Sequence, residues 1–212
     1  MNESLRRIPP GRLTGDEPLH SGGNPIRSED TVLNFWQWSA SNLIDNTQRG
    51  ALAEYIVALA IGSVDDTRRP EWASYDIKTP AGIKVEVKSS AYIQNWAQNK
   101  ESTPRFSIRQ AFAWNPDTDT YSDEKIRDSD IYVFCLHKHR DKETLDPLDV
   151  SQWDFYILPT AALEREAKEQ KTIGLASLER LGARKVSFGQ IHDTLRDLLT
   201  VSKVVSASRI VS

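Results

Sequence analysis

The sequence predicts an α/β fold in which a mixed sheet is flanked by helices, and three observations predict it. Helix-like and strand-like segments alternate from residue 31 to 171. Two runs, 130–137 and 153–158, are dense in β-branched and aromatic residues. A polar hairpin at 75–88 can be folded so that all its apolar side chains share one face.

Taking the elements in order, residues 1 to about 29 are rich in Pro, Gly and charge and lack periodicity. They are expected to form a mobile tail, leaving 30–212 as one domain. Arg6, Arg7 and Arg12 in that tail could meet a phosphate backbone. From Thr31 a first helix carries Leu33, Phe35, Trp36 and Leu43, and a break at 45–47 leads to a second, capped by Thr47 or Asn46. Residues 51–61 read as a helix apolar on all sides, which predicts burial, with Glu54 its only charge. A lone buried carboxylate is costly unless it is paired, hydrogen-bonded or bound to metal. A salt bridge to an Arg would satisfy it, and so would the helix dipole. A loop with Arg68, Arg69 and Pro70 follows.

The turn sets the register of the hairpin. Pro80 presets φ for the first central position of a type I turn, and Gly82 suits the left-handed residue after it. Thr79 should then face Ile83, Lys78 face Lys84, Asp76 face Glu86, and Ser74 face Lys88. Ile77, Ile83, Val85 and Val87 fall together on the opposite side. A two-residue loop would instead pair Asp76 with Val85 and mix charge into the apolar side.

Residues 97–128 read as polar and irregular except for 106–114, which suit either helix or strand. After the strands at 130–137 and 153–158, Pro159 and Thr160 end the second and open a helix at Ala161. Ser187 and Gln190 have capping-box spacing ahead of Ile191, Leu195, Leu198 and Leu199, which predicts a final amphipathic helix. His137 and His139 have metal-ligand spacing but no third ligand, so they read as a solvated strand end. The single Cys135 lies in an apolar strand and reads as core. It excludes an intrachain disulfide, in keeping with a reducing, cytoplasmic setting.

Asp76, Glu86 and Lys88 carry the chemistry. Directly opposed carboxylates repel unless a cation or proton lies between them. One or two carboxylates plus water is the usual Mg²⁺ environment. Lys88, on the same face as Glu86, can orient or deprotonate a water, or neutralise charge developing on a phosphate. The same residue types also furnish any solvated hairpin face, so the pattern alone leaves both readings open.

Glu54 on a helix opening with Arg49 and Gly50, then Asp76, then Glu86-Val87-Lys88 on the next strand, resembles the PD-(D/E)xK nuclease superfamily. The stretch 86–96 further resembles small bacterial members of it. Tyr75, not Pro, precedes Asp76. The resemblance implies a restriction-endonuclease-like fold and a Mg²⁺-dependent endonuclease, with Mn²⁺ able to substitute. By the same resemblance Asp76, Glu86 and the carbonyl of Val87 hold the ion, Lys88 positions or activates water, and Glu54 serves a second ion or a water. Gln94 would be a further polar contact.

A net charge of -3 and pI ≈ 5.8 do not mark a basic nucleic-acid binder. Phosphate contacts come from local patches, however, and Arg68, Arg69, Arg105 and Arg109 are the candidates. DNA is the expected substrate, in a setting such as restriction, repair or phage defence. Cutting both strands would call for the second site of a homodimer. Mean hydropathy of -0.51 and the absence of any apolar run near ~18 residues argue against a membrane span. The opening residues lack an apolar signal region. The competing reading is a catalytically inactive nucleic-acid-binding or protein-interaction module on the same fold.

Overall fold

The computed structural model describes residues 11–64, 73–115, 118 and 120–208. Arg6, Arg7, Arg68 and Arg69 lie outside the described residues. The chain forms two compact units, Met1–Asn42 with Val64–Arg69, and Leu43–Ser63 with Pro70–Ser212.

In the first unit a short hairpin, β1 (His20–Ser21) and β2 (Asn24–Pro25), turns through Gly22 and Gly23 at φ of 58° and 87°. Helix α1 (Val32–Ala40) follows. Asn34 Oδ1 accepts from the Thr31 N–H (2.9 Å) and hydroxyl (3.0 Å), which anchors the helix start.

The second unit begins with α2 (Asn46–Ala60). Its cap is Asp45, not Thr47 or Asn46. Asp45 is extended, and its carboxylate accepts the Thr47 N–H (2.9 Å). The helix is also buried on one side only. Ala53, Ile56 and Val57 are inside while Tyr55 and Leu59 are about half exposed, and Glu54 is half-buried. Ala at 51, 53, 58 and 60 makes the run look apolar all round, yet Ala buries little on any face and does not specify which side is inward.

The sheet contains β3 (Ile77–Lys78), β4 (Lys84–Ala91), β8 (Ile131–His137), β9 (Trp153–Pro159) and β11 (Arg184–Val186), in the order β11-β9-β8-β4-β3. Strands β4 and β8 run parallel and the other pairings are antiparallel, so the sheet is mixed. Between β4 and β8 lie β5 (Arg105–Ser107) and a separate two-stranded ribbon, β6 (Ala111–Asn115) with β7 (Thr120–Ile126). The stretch expected to be irregular is therefore partly strand. After β9 come α3 (Thr160–Glu166), β10 (Thr172–Gly174), which pairs with β5, and α4 (Leu175–Arg180). The last helix, α5 (Ile191–Ser208), follows β11. Ser187 and Gln190 form the expected capping box just ahead of α5.

Alternation along β8 and β9 divides the core. Val85, Val87, Val133, Cys135, Phe155 and Ile157 face α2 and α5, where Ile56, Val57, Ile191 and Leu195 cover them. Tyr132, Phe134, Leu136, Tyr156 and Leu158 face β5, α3 and α4. Each such large apolar side chain contributes roughly 1.5–3 kcal/mol by leaving water. Helices therefore cover both faces, as α/β packing requires. Cys135 is fully buried and its thiol pKa is pushed up by burial, which fits a core residue. His137 is not solvated. It is buried with its ring 4.8 Å from Trp153, a neighbour supplied by the adjacent strand. No described helix is long and apolar enough to cross a membrane.

Candidate active site

The β3–β4 hairpin builds the site from its turn outward. Gly82 has φ +82°, and its N–H donates to the Thr79 carbonyl (2.8 Å), closing the turn after Pro80. Thr79 N–H donates to the Ile83 carbonyl (2.9 Å), and Lys78 pairs with Lys84 and Ile77 with Val85. This is the register that the turn residues predict. Pairing stops at Ile77, however, and Ser74 does not face Lys88. Its hydroxyl donates to Asp128 instead.

Asp76 explains why the ladder ends there. Its Oδ2 accepts the Val87 N–H (2.7 Å), while its own N–H donates to the Val85 carbonyl (3.1 Å). A side-chain carboxylate thus takes the place of the next backbone rung. Two backbone contacts hold Asp76 beside β4. In an extended strand the N–H and C=O of one residue project to the same edge. The Val87 carbonyl therefore looks toward the edge where Asp76 sits.

Glu86 and Lys88 alternate with buried Val85 and Val87 and so stand on the other face, opposite Tyr132 and Phe134 of β8. Lys88 Nζ lies 2.5 Å from Glu86 Oε1 and 3.9 Å from Asp76 Oδ2. The ammonium therefore contacts both carboxylates. Burial, then Asp76 and Glu54, raise the Glu86 pKa to about 7, although Lys88 works the other way. Burial disfavours the Lys88 charge, but Glu86 and Asp76 outweigh it and hold that pKa above its ordinary value. Lys88 is consequently an ammonium at neutral pH.

Glu54 is felt from α2. Its charge raises the pKa of both Glu86 and Lys88. Among the described residues no three His, Cys, Asp or Glu side chains form a group that could hold a metal ion, so Glu54 does not complete a three-carboxylate cluster. Gln94 lies past the end of β4 and is buried. It donates to the Ala91 carbonyl (3.2 Å) and accepts from Arg49 Nη1 (3.2 Å), closing the strand end against the first turn of α2.

A cleft of about 300 Å³ opens onto Asp76 and Glu86. Its walls include Asp76, Glu86 and Asp128 on one side and Phe112, Trp114 and Tyr121 of the β6–β7 ribbon on the other. Sequence reasoning did not bring the ribbon or Asp128 to the site. Asp128 accepts from Lys84 Nζ (2.7 Å) and from Ser74, tying the segment before β3 and the start of β4 to the entrance of β8. The one local signal for the ribbon was the alternation of Phe112 and Trp114. Arg105 lines a different cleft, with Tyr92 and Gly174, and Arg109 is exposed outside the lining of the carboxylate cleft.

Two carboxylates, an ammonium and a strand carbonyl directed to one edge form a donor set for a hard divalent cation and for a phosphodiester. No curated protein matches the chain. Residues 26–177, which span Glu54, Asp76, the β4 residues and the ribbon, match the family model described as bacteriophage T4 endonuclease IV. On that match, over most of its length, the chain belongs to the bacteriophage T4 endonuclease IV family, and it is a nuclease whose substrate is nucleic acid.

Proposed function

We propose that the chain is a Mg²⁺-dependent endonuclease cleaving phosphodiester bonds in DNA through a PD-(D/E)xK-type centre. The observation that carries this reading is the Lys88 ammonium in contact with both Glu86 and Asp76 at one edge of the sheet. The element order supports it: Glu54 on α2, Asp76 ahead of β3, then Glu86 and Lys88 on β4 of a mixed sheet flanked by helices.

The residues fit a divalent ion. Glu86 is held near neutrality by burial and by the charge of Asp76, a cost that a cation removes. Asp76, Glu86 and the Val87 carbonyl would hold Mg²⁺, with Mn²⁺ an acceptable substitute for the same oxygen donors. When bound, the ion supplies Lewis-acid polarisation of a phosphoryl oxygen. The chain's own groups do the rest. Lys88, whose ammonium lies against both carboxylates, would position or activate the attacking water and offset charge on the phosphate. Glu54 contributes at longer range, through water or a second ion.

Cleavage of plasmid, single-stranded DNA and RNA in Mg²⁺, Mn²⁺ and EDTA tests the reading. The wild type should nick or cut DNA in Mg²⁺ and in Mn²⁺ but not in EDTA. Asp76→Asn and Glu86→Gln should abolish turnover, and Lys88→Met should lower it by at least about 100-fold. Undiminished Mg²⁺-dependent cleavage by the Asp76 and Glu86 variants refutes the proposal. DNA binding without turnover in any cation would establish the non-enzymatic alternative.

A further inference from the structure

The cleft has a second wall whose chemistry the carboxylates do not explain. In the β6–β7 ribbon Phe112 pairs with Lys125 and Trp114 with Tyr121. Paired residues of an antiparallel ribbon share a face, and so do residues two apart. Phe112, Trp114 and Tyr121 line the cleft together, and Lys125 stands over the Phe112 ring. The pairing shifts register between the two pairs, and Ser122 fills the gap. Its hydroxyl accepts from the Ala113 N–H (2.9 Å) and donates to the Glu124 carbonyl (2.6 Å), so the irregularity is hydrogen-bonded within the ribbon.

The exposure of this face calls for a ligand. Phe112 is 50% and Tyr121 64% exposed, although Phe and Tyr are among the side chains that gain most from burial. Lys125 Nζ stands 5.4 Å from the centroid of the Phe112 ring. That places a phosphate-seeking charge beside a stacking surface. The same cleft reaches Asp76 and Glu86, so whatever rests on the rings is continuous with what reacts at the carboxylates.

We propose that the ribbon is a base-stacking wall: Phe112 and Tyr121 hold a nucleobase of the substrate next to the scissile phosphodiester, and Lys125 meets the adjoining phosphate. This rests on the nuclease reading of the cleft. It assigns Phe112, Tyr121 and Lys125 to substrate positioning, apart from the groups that act on the bond. A net charge of -3 leaves little long-range attraction for a polyanion, and stacking supplies affinity that does not depend on charge.

The test is binding in EDTA, where no turnover occurs, by fluorescence anisotropy of a labelled deoxyoligonucleotide and of its counterpart with abasic sites. Phe112→Ala and Tyr121→Ala should each weaken binding of the base-bearing strand by about 5- to 150-fold, the range for loss of one stacked base. On the abasic strand the same variants should bind as the wild type does, because only phosphates remain to be held. Phe112→Tyr should restore affinity, and Phe112→Leu should not, since it lacks a π face. Thermal melts guard against misfolding, which would weaken both strands equally. Wild-type affinity in both alanine variants, or equal loss on the two strands, overturns the proposal. Failure of the nuclease reading looks different, because Glu86→Gln would then cleave as the wild type does whatever the binding curves show.

Discussion

Glu86 is the residue at which folding and chemistry compete. Its carboxyl titrates at about 7 when folded and at the ordinary 4.5 when the chain is unfolded, burial being the chief cause and Asp76 the next. Between those two values the folded state holds a proton that the unfolded state has lost. The stabilisation from that proton is complete below about pH 4.5 and disappears as pH rises through about 7. A shift of this size corresponds to about 3 kcal/mol. Metal-free protein should therefore lose stability from pH 5 to pH 7.5, and Glu86→Gln should flatten that part of the profile in denaturant titrations. Mg²⁺ should raise the melting temperature at pH 7.5 far more than at pH 5, where it competes with the proton. An equally steep profile in Glu86→Gln would assign the slope to another group.

At the scale of elements, one buried guanidinium joins the end of the ribbon to the helical layer. Arg127, with its side chain wholly buried, donates to the carbonyls of Ile108, Ala167, Lys168 and Gln170 and to Glu164 Oε1 (2.7 Å). Three of those carbonyls belong to the loop that follows α3, so one guanidinium fixes the path of the chain leaving the helix. Arg127→Met and Arg127→Lys should each cost about 3–5 kcal/mol in chemical denaturation, since neither reaches all the acceptors. Glu164→Gln should cost under about 1 kcal/mol, because Glu164 is partly exposed and the carbonyl bonds survive. Equal losses would place the stabilisation in the ion pair. The same contrast explains what the sequence disclosed. Hairpin register was legible because Pro80 and Gly82 act locally and the apolar alternation of β4 agrees with them. Arg127, the burial of His137 against Trp153 and the placing of Asp128 all depend on partners distant in the chain. The ribbon was hidden for another reason: β7 is exposed along nearly all its length and carries no apolar period.

For the molecule as a whole, the sign of the charge is the constraint. A chain of net charge -3 meets a polyanion without the long-range steering that a basic surface provides. Among the described residues, Lys84, Lys88 and Lys125 stand beside groups that line the carboxylate cleft. Lys84 is engaged with Asp128, and Lys88 with Glu86. Few phosphates can then be neutralised, and few counterions released. For single strands the slope of log Kobs against log[salt] is about -0.7 for each phosphate contact. One or two contacts in the cleft predict a slope of about -0.7 to -1.4 in KCl titrations with EDTA present, changing little in Phe112→Ala although its affinity falls. Lys125→Gln should make the slope shallower by roughly 0.7, one contact's share. A wild-type slope of about -5 or steeper would require a broad basic surface, and the double variant Arg68→Ala, Arg69→Ala would show whether that loop provides it. A shallow slope with strong dependence on the bases would mean that the nuclease grips its substrate through the rings of the ribbon.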